Sequence, residues 1–237
     1  MVQQLRLNFS KMEPDKFVSA TTLLLCFIAG FCDTVTFVAA DELFSAHVTG
    51  NFIVFAYDIV KHTDPRGWQR LLSFPVFALT VMLGGHISKR YTDSYLLLII
   101  ESWLLVLAGI LSGLLIAHGQ AGGWQVQLVA MLTVMAMAIQ NTFGKLNSKV
   151  TYGLTTVMTG NVTQVALDLV RIITNQTAAA DACGSFKKQC YLIVGFLAGC
   201  ITGALTAVVF GLVPILLPGL LLLFWCKKNS NVAENLI

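Results

Sequence analysis

Charged side chains are scarce in this chain. Its 237 residues include 15 Lys and Arg and 12 Asp and Glu, so 11% are charged, whereas a soluble domain typically carries about 25%. Because 56% of the residues are hydrophobic, polar groups cannot cover a water-facing surface. A soluble enzyme, a nucleic-acid-binding module and a disordered tail are therefore excluded. The net charge of +3 requires no nucleic-acid partner, since the basic residues are scattered between apolar runs and indicate membrane topology.

The sequence also lacks the spacings that mark metal, disulfide and catalytic sites. Its six cysteines include no C-x-x-C pair, and four of them lie in apolar runs, which argues against a zinc site or a disulfide framework. Cys183 and Cys190 share one predicted loop and form the candidate pair for an oxidising compartment. The motifs H-E-x-x-H and G-x-S-x-G and the glycine-rich phosphate loops are all missing. We therefore expect no enzymatic activity, no metal and no cofactor.

Long apolar runs dominate the chain instead. One uncharged stretch, 189–226, would form a helix of about 57 Å, near twice the thickness of a bilayer core, so we expect it to break at Gly211 and Pro214. The sequence predicts an all-α, polytopic helical membrane protein with six to eight apolar segments, whose partner is the lipid bilayer. The predicted segments are 17–40, 43–60, 71–87, 95–117, 124–143, 153–173, 191–210 and 212–226.

Two of these segments, 43–60 and 153–173, begin with small polar residues and resemble each other. The triplet Thr49, Gly50 and Asn51 recurs 110 positions later as Thr159, Gly160 and Asn161, in matching flanks and segment order. We therefore predict two similar halves, a first membrane repeat at 17–118 and a second at 124–226. The segments 1–16 and 227–237 are predicted to be cytoplasmic. Duplicated halves with a site between them are typical of secondary transporters.

The topology of the repeats depends on whether the two short segments cross the membrane. If they cross, each half has four spans and the halves are parallel; if they are re-entrant, each half has three spans and the halves are inverted. Counting Lys and Arg under the positive-inside rule gives nearly the same result for both, so the alternatives stay open. Both favour an N-terminus and a C-terminus in the cytoplasm.

Polar residues at membrane depth mark the candidate site. An ionised Asp33 midway through the first span costs at least about 2.5 kcal/mol, so we expect it to face the interior of the bundle. It is the candidate proton or cation site, unless it only fixes helix packing. The T-G-N triplets are either backbone breaks at a substrate site or seams between helices. The predicted substrate-binding residues are Asp33, Thr49, Gly50, Asn51, Gln140, Asn141, Thr159, Gly160 and Asn161.

Six further residues carry expectations about local structure. Asp58 with Lys61, and Asp168 with Arg171, have the spacing of interfacial ion pairs on one helix face, with gating pairs as the alternative. Glu101 lies near the beginning of its span and is expected to reach the interface. His47 precedes the first triplet, but Val157 stands in the matching place, which indicates a local role.

At these residues the chain resembles the YoaK-like family, bacterial multi-pass membrane proteins grouped as a domain of unknown function. The resemblance rests on the runs 29–33, 43–44 and 47–51, on Gln140 with Asn141, and on the second triplet. It extends over about residues 17–226 and departs from the family pattern at Cys32, where a small aliphatic residue is more usual. It implies an integral inner-membrane protein with a duplicated core, and it implies no established substrate or activity.

Two functions fit these observations. The first is a small-solute secondary transporter or permease with a central polar site between the two repeats, in which protonation of Asp33 couples transport to the proton gradient. The alternative is a non-transporting membrane scaffold or partner subunit, in which the triplets are packing seams and Asp33 is structural. The sequence leaves the solute, the direction of transport and the oligomeric state undetermined.

Overall fold

The computed structural model describes residues 14–61, 66–91, 95–119, 123–147, 150–156, 158–174 and 179–234. Helices make up nearly all of these stretches and no strand occurs in them, which confirms the all-α class. Two 3-10 helices, Gly67–Leu72 and Val213–Ile215, precede α3 and α8. The helices are α1 (Pro14–Ala39), α2 (Gly50–Lys61), α3 (Ser73–Arg90), α4 (Tyr95–Ala117), α5 (Trp124–Leu146), α6 (Thr159–Ile173), α7 (Ala179–Phe210) and α8 (Leu216–Glu234).

Within the described stretches, five helices are long and apolar enough to cross a membrane: α1, α3 with its preceding 3-10 helix, α4, α5 and α7. The chain is therefore an integral membrane protein. By contrast, α2 and α6 contain 12 and 15 residues. At 1.5 Å per residue they measure about 18 and 22 Å, too short for a hydrocarbon core of about 30 Å. Neither short helix spans the bilayer.

A seam of glycines joins α1 to α7. A Cβ atom added to Gly199 would lie 2.1 Å from the carbonyl oxygen of Phe27, and one added to Gly30 would lie 2.2 Å from that of Phe196. Further along, Gly195 faces Leu23. The facing positions advance together along both helices, so α1 and α7 run parallel. Only residues without a side chain permit this approach of two backbones.

The remaining long helices are oriented by similar contacts. Gly109 of α4 faces Leu216, and Gly219 of α8 faces Val106, so α4 and α8 are antiparallel. At the other end of α8, Trp225 stacks on Phe17 near the beginning of α1, with ring centroids 6.0 Å apart. The beginning of α1 and the end of α8 therefore lie on the same side of the bundle.

The segment between α1 and α2 turns back into the bundle. Asp41 and Glu42 follow α1 with φ angles of 50° and 57°, a left-handed conformation that few residues other than glycine adopt. The backbone N–H of Ala46 then donates to Asp33 Oδ1 at 2.7 Å. Asp33 lies about 9 Å before the end of α1 at Ala39. The chain has thus returned into the bundle before α2 begins.

Helix α2 leads back to the side on which α1 ended. Near its end, the Asp58 carboxylate forms an ion pair with Arg70 of the following 3-10 helix. The Nε of Arg70 also donates to the backbone carbonyl of Asp41, directly after α1, at 2.6 Å. Because the ends of α1 and α2 meet at one side of the bundle, the segment 41–61 is re-entrant.

The second short helix belongs to a segment that enters from the opposite side. Beyond α5, the backbone N–H of Tyr152 donates to Thr22 Oγ1 near the beginning of α1, at 3.0 Å. Gln140 Nε2 donates to Thr155 Oγ1 at 2.7 Å, about 9 Å back from the end of α5 at Leu146. Helix α6 follows and packs along α7, which begins on the same side as α1. The segment 150–173 is therefore re-entrant as well.

The two halves consequently have the same order of elements in opposite directions. Each contains a long helix, a re-entrant segment with a short helix, and two further long helices. Of the two topologies that the sequence left open, the structure has the re-entrant, inverted order of elements, in which α8 takes the place of a sixth long helix although it is not among the five that are apolar enough to cross a membrane. The repeat boundaries at 17–118 and 124–226 and the cytoplasmic segments 1–16 and 227–237 stay predictions, and residues 1–13 lie outside the described part of the chain.

Two helices extend past the predicted apolar segments, because charged residues lower the hydropathy of helix ends outside the apolar layer. Helix α7 begins at Ala179 rather than at 191, and α8 continues to Glu234. Cys183 and Cys190 therefore lie on one helix instead of in a loop, about 10 Å apart along its axis, and cannot form a disulfide. Both are free thiols. The predicted break is confirmed at Gly211, which has a φ of 60°.

We expect Gly199→Ala to destabilise the protein, because the new methyl group would collide with the backbone of α1. Overpacking of this kind typically costs about 1–3 kcal/mol. The measurement is thermal unfolding in detergent. Gly113→Ala in α4 is the matched control, since no atom lies within 4 Å of its added Cβ. Equal unfolding temperatures for the two variants would contradict the close α1–α7 contact.

Cysteine labelling tests the re-entrant topology. In a background without native cysteines, single cysteines replace Glu42, Lys61, His118, Tyr91 or Lys228, and a membrane-impermeant maleimide is applied to one side. We expect the first three to react from one side and the last two from the other, because α2 returns to the side on which α1 ended. If α2 crossed the membrane, Lys61→Cys would instead react together with Lys228→Cys and opposite to Glu42→Cys.

Candidate functional site

Asp33 holds the first re-entrant segment against α1. It is buried, and its Oδ1 accepts hydrogen bonds from the backbone N–H groups of Ala46 at 2.7 Å and His47 at 3.3 Å. Its Oδ2 lies 2.7 Å from Nδ1 of His47. One carboxylate therefore satisfies two backbone donors that would otherwise be costly to bury at membrane depth.

Asn51 closes the same segment on itself and on α3. Its Oδ1 accepts from the backbone N–H of Phe44, and its Nδ2 donates both to the Phe44 carbonyl and to Ser73 Oγ, each at 2.8 Å. Gly50 lies beside the Phe44 ring, where a Cβ would come within 2.9 Å. Thr49 is exposed. In this triplet, Gly50 lets the Phe44 ring pack against the backbone, and Asn51 uses both its oxygen and its nitrogen in hydrogen bonds.

The sequence indicated a local role for His47, but this residue also joins the re-entrant segment to α7. Its ring meets that of Phe196 edge-on, with centroids 5.5 Å apart. His47 lies between the spanning helices. Its hydrogen bond with the Asp33 carboxylate raises the pKa of the imidazole above the ordinary value of 6.5, although burial acts in the opposite direction. The pair is a titratable contact between the re-entrant segment, α1 and α7.

In the second half, the anchor is Gln140, the residue that precedes Asn141, the repeat counterpart of Asp33. It is fully buried, and its Nε2 donates to the backbone carbonyl of Leu25 at 2.8 Å as well as to Thr155. Its Oε1 has no hydrogen-bond partner among the described residues. Asn141, the next residue of α5, is half-buried. A neutral amide in one half and a carboxylate in the other therefore anchor the two re-entrant segments.

The second triplet is more open than the first. Thr159 and Gly160 are exposed, and Asn161 is half-buried. No atom lies within 4 Å of a Cβ added to Gly160. The structure groups the predicted site residues into two separate clusters, Asp33 with the first triplet and Gln140 with the segment that leads to the second. Their contacts on α1, Leu25 and Asp33, lie about 12 Å apart along the helix axis.

A buried ion pair between Asp58 and Arg70 lies on the side of the bundle from which the first re-entrant segment enters. Both side chains are about 5% exposed. The predicted partner of Asp58, Lys61, is exposed instead, because the 3-10 helix brings Arg70 closer. The predicted pair in the second half is confirmed, with Arg171 Nη1 3.4 Å from Asp168 Oδ1. Sequence reasoning missed Arg70, whose partners are distant in the chain.

Glu101 is a second buried carboxyl group. The expectation that it reaches the interface was wrong: its side chain is 0% exposed, and neither oxygen has a hydrogen-bond partner among the described residues. The first turns of α4 are themselves covered, since Tyr95, Leu97 and Leu98 are buried. An ionised, unpartnered carboxylate at such a place costs several kcal/mol. The only signal in the sequence is a lone acidic residue in an apolar run.

A cavity of about 860 Å³ opens where α1 and α7 begin and the 150–156 segment enters. It reaches inward to Leu23, within one helical turn of the Leu25 carbonyl that binds Gln140. The cavity therefore leads from one side of the bundle toward the anchor of the second re-entrant segment. Across the described stretches, no group of His, Cys, Asp and Glu is arranged to hold a metal ion.

The raised pKa of His47 predicts a pH-dependent stability. The stabilisation by the ion pair is fully present below the pKa of the unfolded chain and is lost as pH rises through the higher pKa of the folded state. We expect the unfolding temperature of the wild type in detergent to fall as the pH rises above the ordinary histidine pKa of 6.5. His47→Gln should reduce this dependence, and His118→Gln, which removes an exposed histidine, should retain it. A dependence unchanged in His47→Gln would contradict the ion pair.

The comparisons with known proteins agree with the residue-level resemblance. The family model described as "Protein of unknown function (DUF1275)" matches residues 21–226. No curated protein and no solved structure matches the chain. The matched range includes both re-entrant segments and their anchors, Asp33 and Gln140. From the first turns of α1 into α8, this integral membrane protein therefore belongs to the DUF1275 family of proteins of unknown function.

Proposed function

We propose that the protein is a secondary transporter for a small solute, without enzymatic activity, in a bacterial inner membrane with both termini in the cytoplasm. The observation that carries the proposal is the pair of re-entrant segments, which enter the bundle from opposite sides and are each anchored inside it by one buried polar side chain. Inverted halves with interrupted helices are a recurring build of such transporters.

The physical argument starts from the backbone. Non-helical chain at membrane depth is tolerated where protein groups satisfy its donors and acceptors or where it lines a wet cavity. Asp33, Asn51 and Gln140 supply such bonds here. Helix α2 begins inside the bundle, with Asn51 buried, so that its N-terminal dipole end points inward, where transporters with broken helices hold solute groups, whereas α6 begins with exposed residues.

The Asp33–His47 pair supplies a means of coupling to protons. In the protonated state, the imidazolium and the carboxylate hold the 41–50 segment on α1, next to Phe196 of α7. Loss of the proton removes the ionic part of this contact and weakens the closure of the segment. Binding or release of one proton would then bias the segment between a closed and an open position. The buried carboxyl of Glu101 is a second group able to carry a proton.

The alternative, a membrane scaffold or partner subunit, is favoured by one observation. Both carboxylate oxygens of Asp33 are already engaged by the re-entrant segment, as expected of a purely structural residue. The two functions differ in whether a solute stabilises the protein. A ligand at 100 times its Kd adds about 2.7 kcal/mol of stability, so a panel of solutes screened by thermal unfolding at two pH values separates them.

For the solute found in that screen, we expect proton flux into proteoliposomes to accompany solute uptake in the wild type and to be lost in Asp33→Asn. Asp181→Asn, which removes an exposed carboxylate at the beginning of α7, is the matched control and should leave the flux unchanged. Thermal unfolding verifies that both variants are folded. Full proton-coupled uptake in Asp33→Asn would remove its coupling role, and the absence of any stabilising solute would favour the scaffold.

A further inference from the structure

The cavity between the beginnings of α1 and α7 has a strongly basic lining. Lys187 and Lys188 contribute ammonium groups from α7, and Lys16 contributes one from α1. Among the described residues of the lining, Asp15 is the single acidic side chain. Three positive charges and one negative charge around one concave volume create a local positive potential that attracts anions.

Hydroxyl groups lie among these lysines. The hydroxyls of Ser19 and Tyr152 are hydrogen-bonded to each other and belong to the cavity wall. The Nζ of Lys188 lies 5.4 Å from the centroid of the Tyr152 ring, a distance at which a cation is attracted to an aromatic face. Tyr152 therefore holds one ammonium group near the hydroxyl pair, in which the O–H that does not bridge the two oxygens remains to donate to an oxyanion.

We propose that this cavity is a binding site for a phosphate-type anion. Lysine binds phosphate as a point charge, and hydroxyl groups complete the hydrogen bonding to its oxygens. The inference is independent of the proposed function, because a transporter and a scaffold can both carry such a site. Its failure would leave the transport proposal standing, and the failure of transport would leave the site standing.

Two sources offer this chemistry. A soluble phosphate can enter the cavity from the aqueous side. The headgroup of an anionic phospholipid can occupy it as well, since apolar side chains such as Val18 and the partly exposed Leu23 lie in the same wall and can contact an acyl chain. Basic pockets between transmembrane helices are known to bind lipid phosphates in this way.

The test uses the full-length purified protein in two forms. In detergent, inorganic phosphate is titrated against thermal unfolding at constant ionic strength set with chloride. In nanodiscs, unfolding is compared between phosphatidylcholine alone and phosphatidylcholine with phosphatidylglycerol. Stabilisation by phosphate identifies a soluble anion, and stabilisation by phosphatidylglycerol alone identifies a lipid headgroup. Stabilisation in neither form would overturn the proposal.

Paired substitutions localise the effect. We expect Lys187→Gln with Lys188→Gln to weaken binding at least about tenfold, equivalent to about 1.4 kcal/mol. Lys227→Gln with Lys228→Gln removes the same charge from exposed positions near the end of α8, outside the cavity, and should leave binding within about twofold. Tyr152→Phe, which keeps the ring and removes the hydroxyl, should weaken binding without unfolding the protein. An equal loss in both lysine pairs would overturn the site, because general surface charge would then account for the attraction.

Discussion

Irregular backbone inside a bilayer must find hydrogen-bond partners within the protein, and the rest of this structure depends on how that constraint is met. The carboxylate of Asp33 accepts two backbone N–H groups of the first re-entrant segment, and the amide of Gln140 bonds the side chain of Thr155 in the second. Both anchors sit on long helices that fix their depth. Each short helix, α2 or α6, begins a few residues after the positions that its anchor binds. The two interruptions are therefore held at defined places in the bundle.

Close packing of the long helices supports the anchors. At the α1–α7 seam, glycines let the two backbones approach until any added side chain would collide with a carbonyl group. This contact joins the first helix of one half to a long helix of the other half. Helix α1 carries Asp33, and its Leu25 carbonyl accepts a hydrogen bond from the side chain of Gln140. One helix therefore connects both re-entrant segments and both halves of the chain, which gives a change at one segment a physical path to the other.

The polar groups along α1 differ in what they do: some only hold the fold together, and others can also bind or release a proton. Asp33 completes the hydrogen bonding of a backbone segment, and its second oxygen pairs with the imidazole of His47, whose pKa this hydrogen bond raises. The ion pair of Arg70 with Asp58 has a structural role, because Arg70 binds both the end of α2 and the residue that follows α1. The basic cavity lies at the opposite end of α1, beside the second segment. The titratable pair and the basic cavity thus lie at different depths along one helix.

The sequence by itself determined the membrane class, the helical segments, the break at Gly211 and the two T-G-N triplets, because apolar run length and glycine placement are local properties of a chain. It pointed to Asp33 and Gln140 because polar groups are costly at membrane depth. Only the tertiary structure decided that the short segments are re-entrant, that Asp58 pairs with Arg70, that Glu101 is buried and that lysines of α1 and α7 share a cavity. These features join residues far apart in the chain, such as Gln140 and Leu25, and no local pattern records which helices become neighbours.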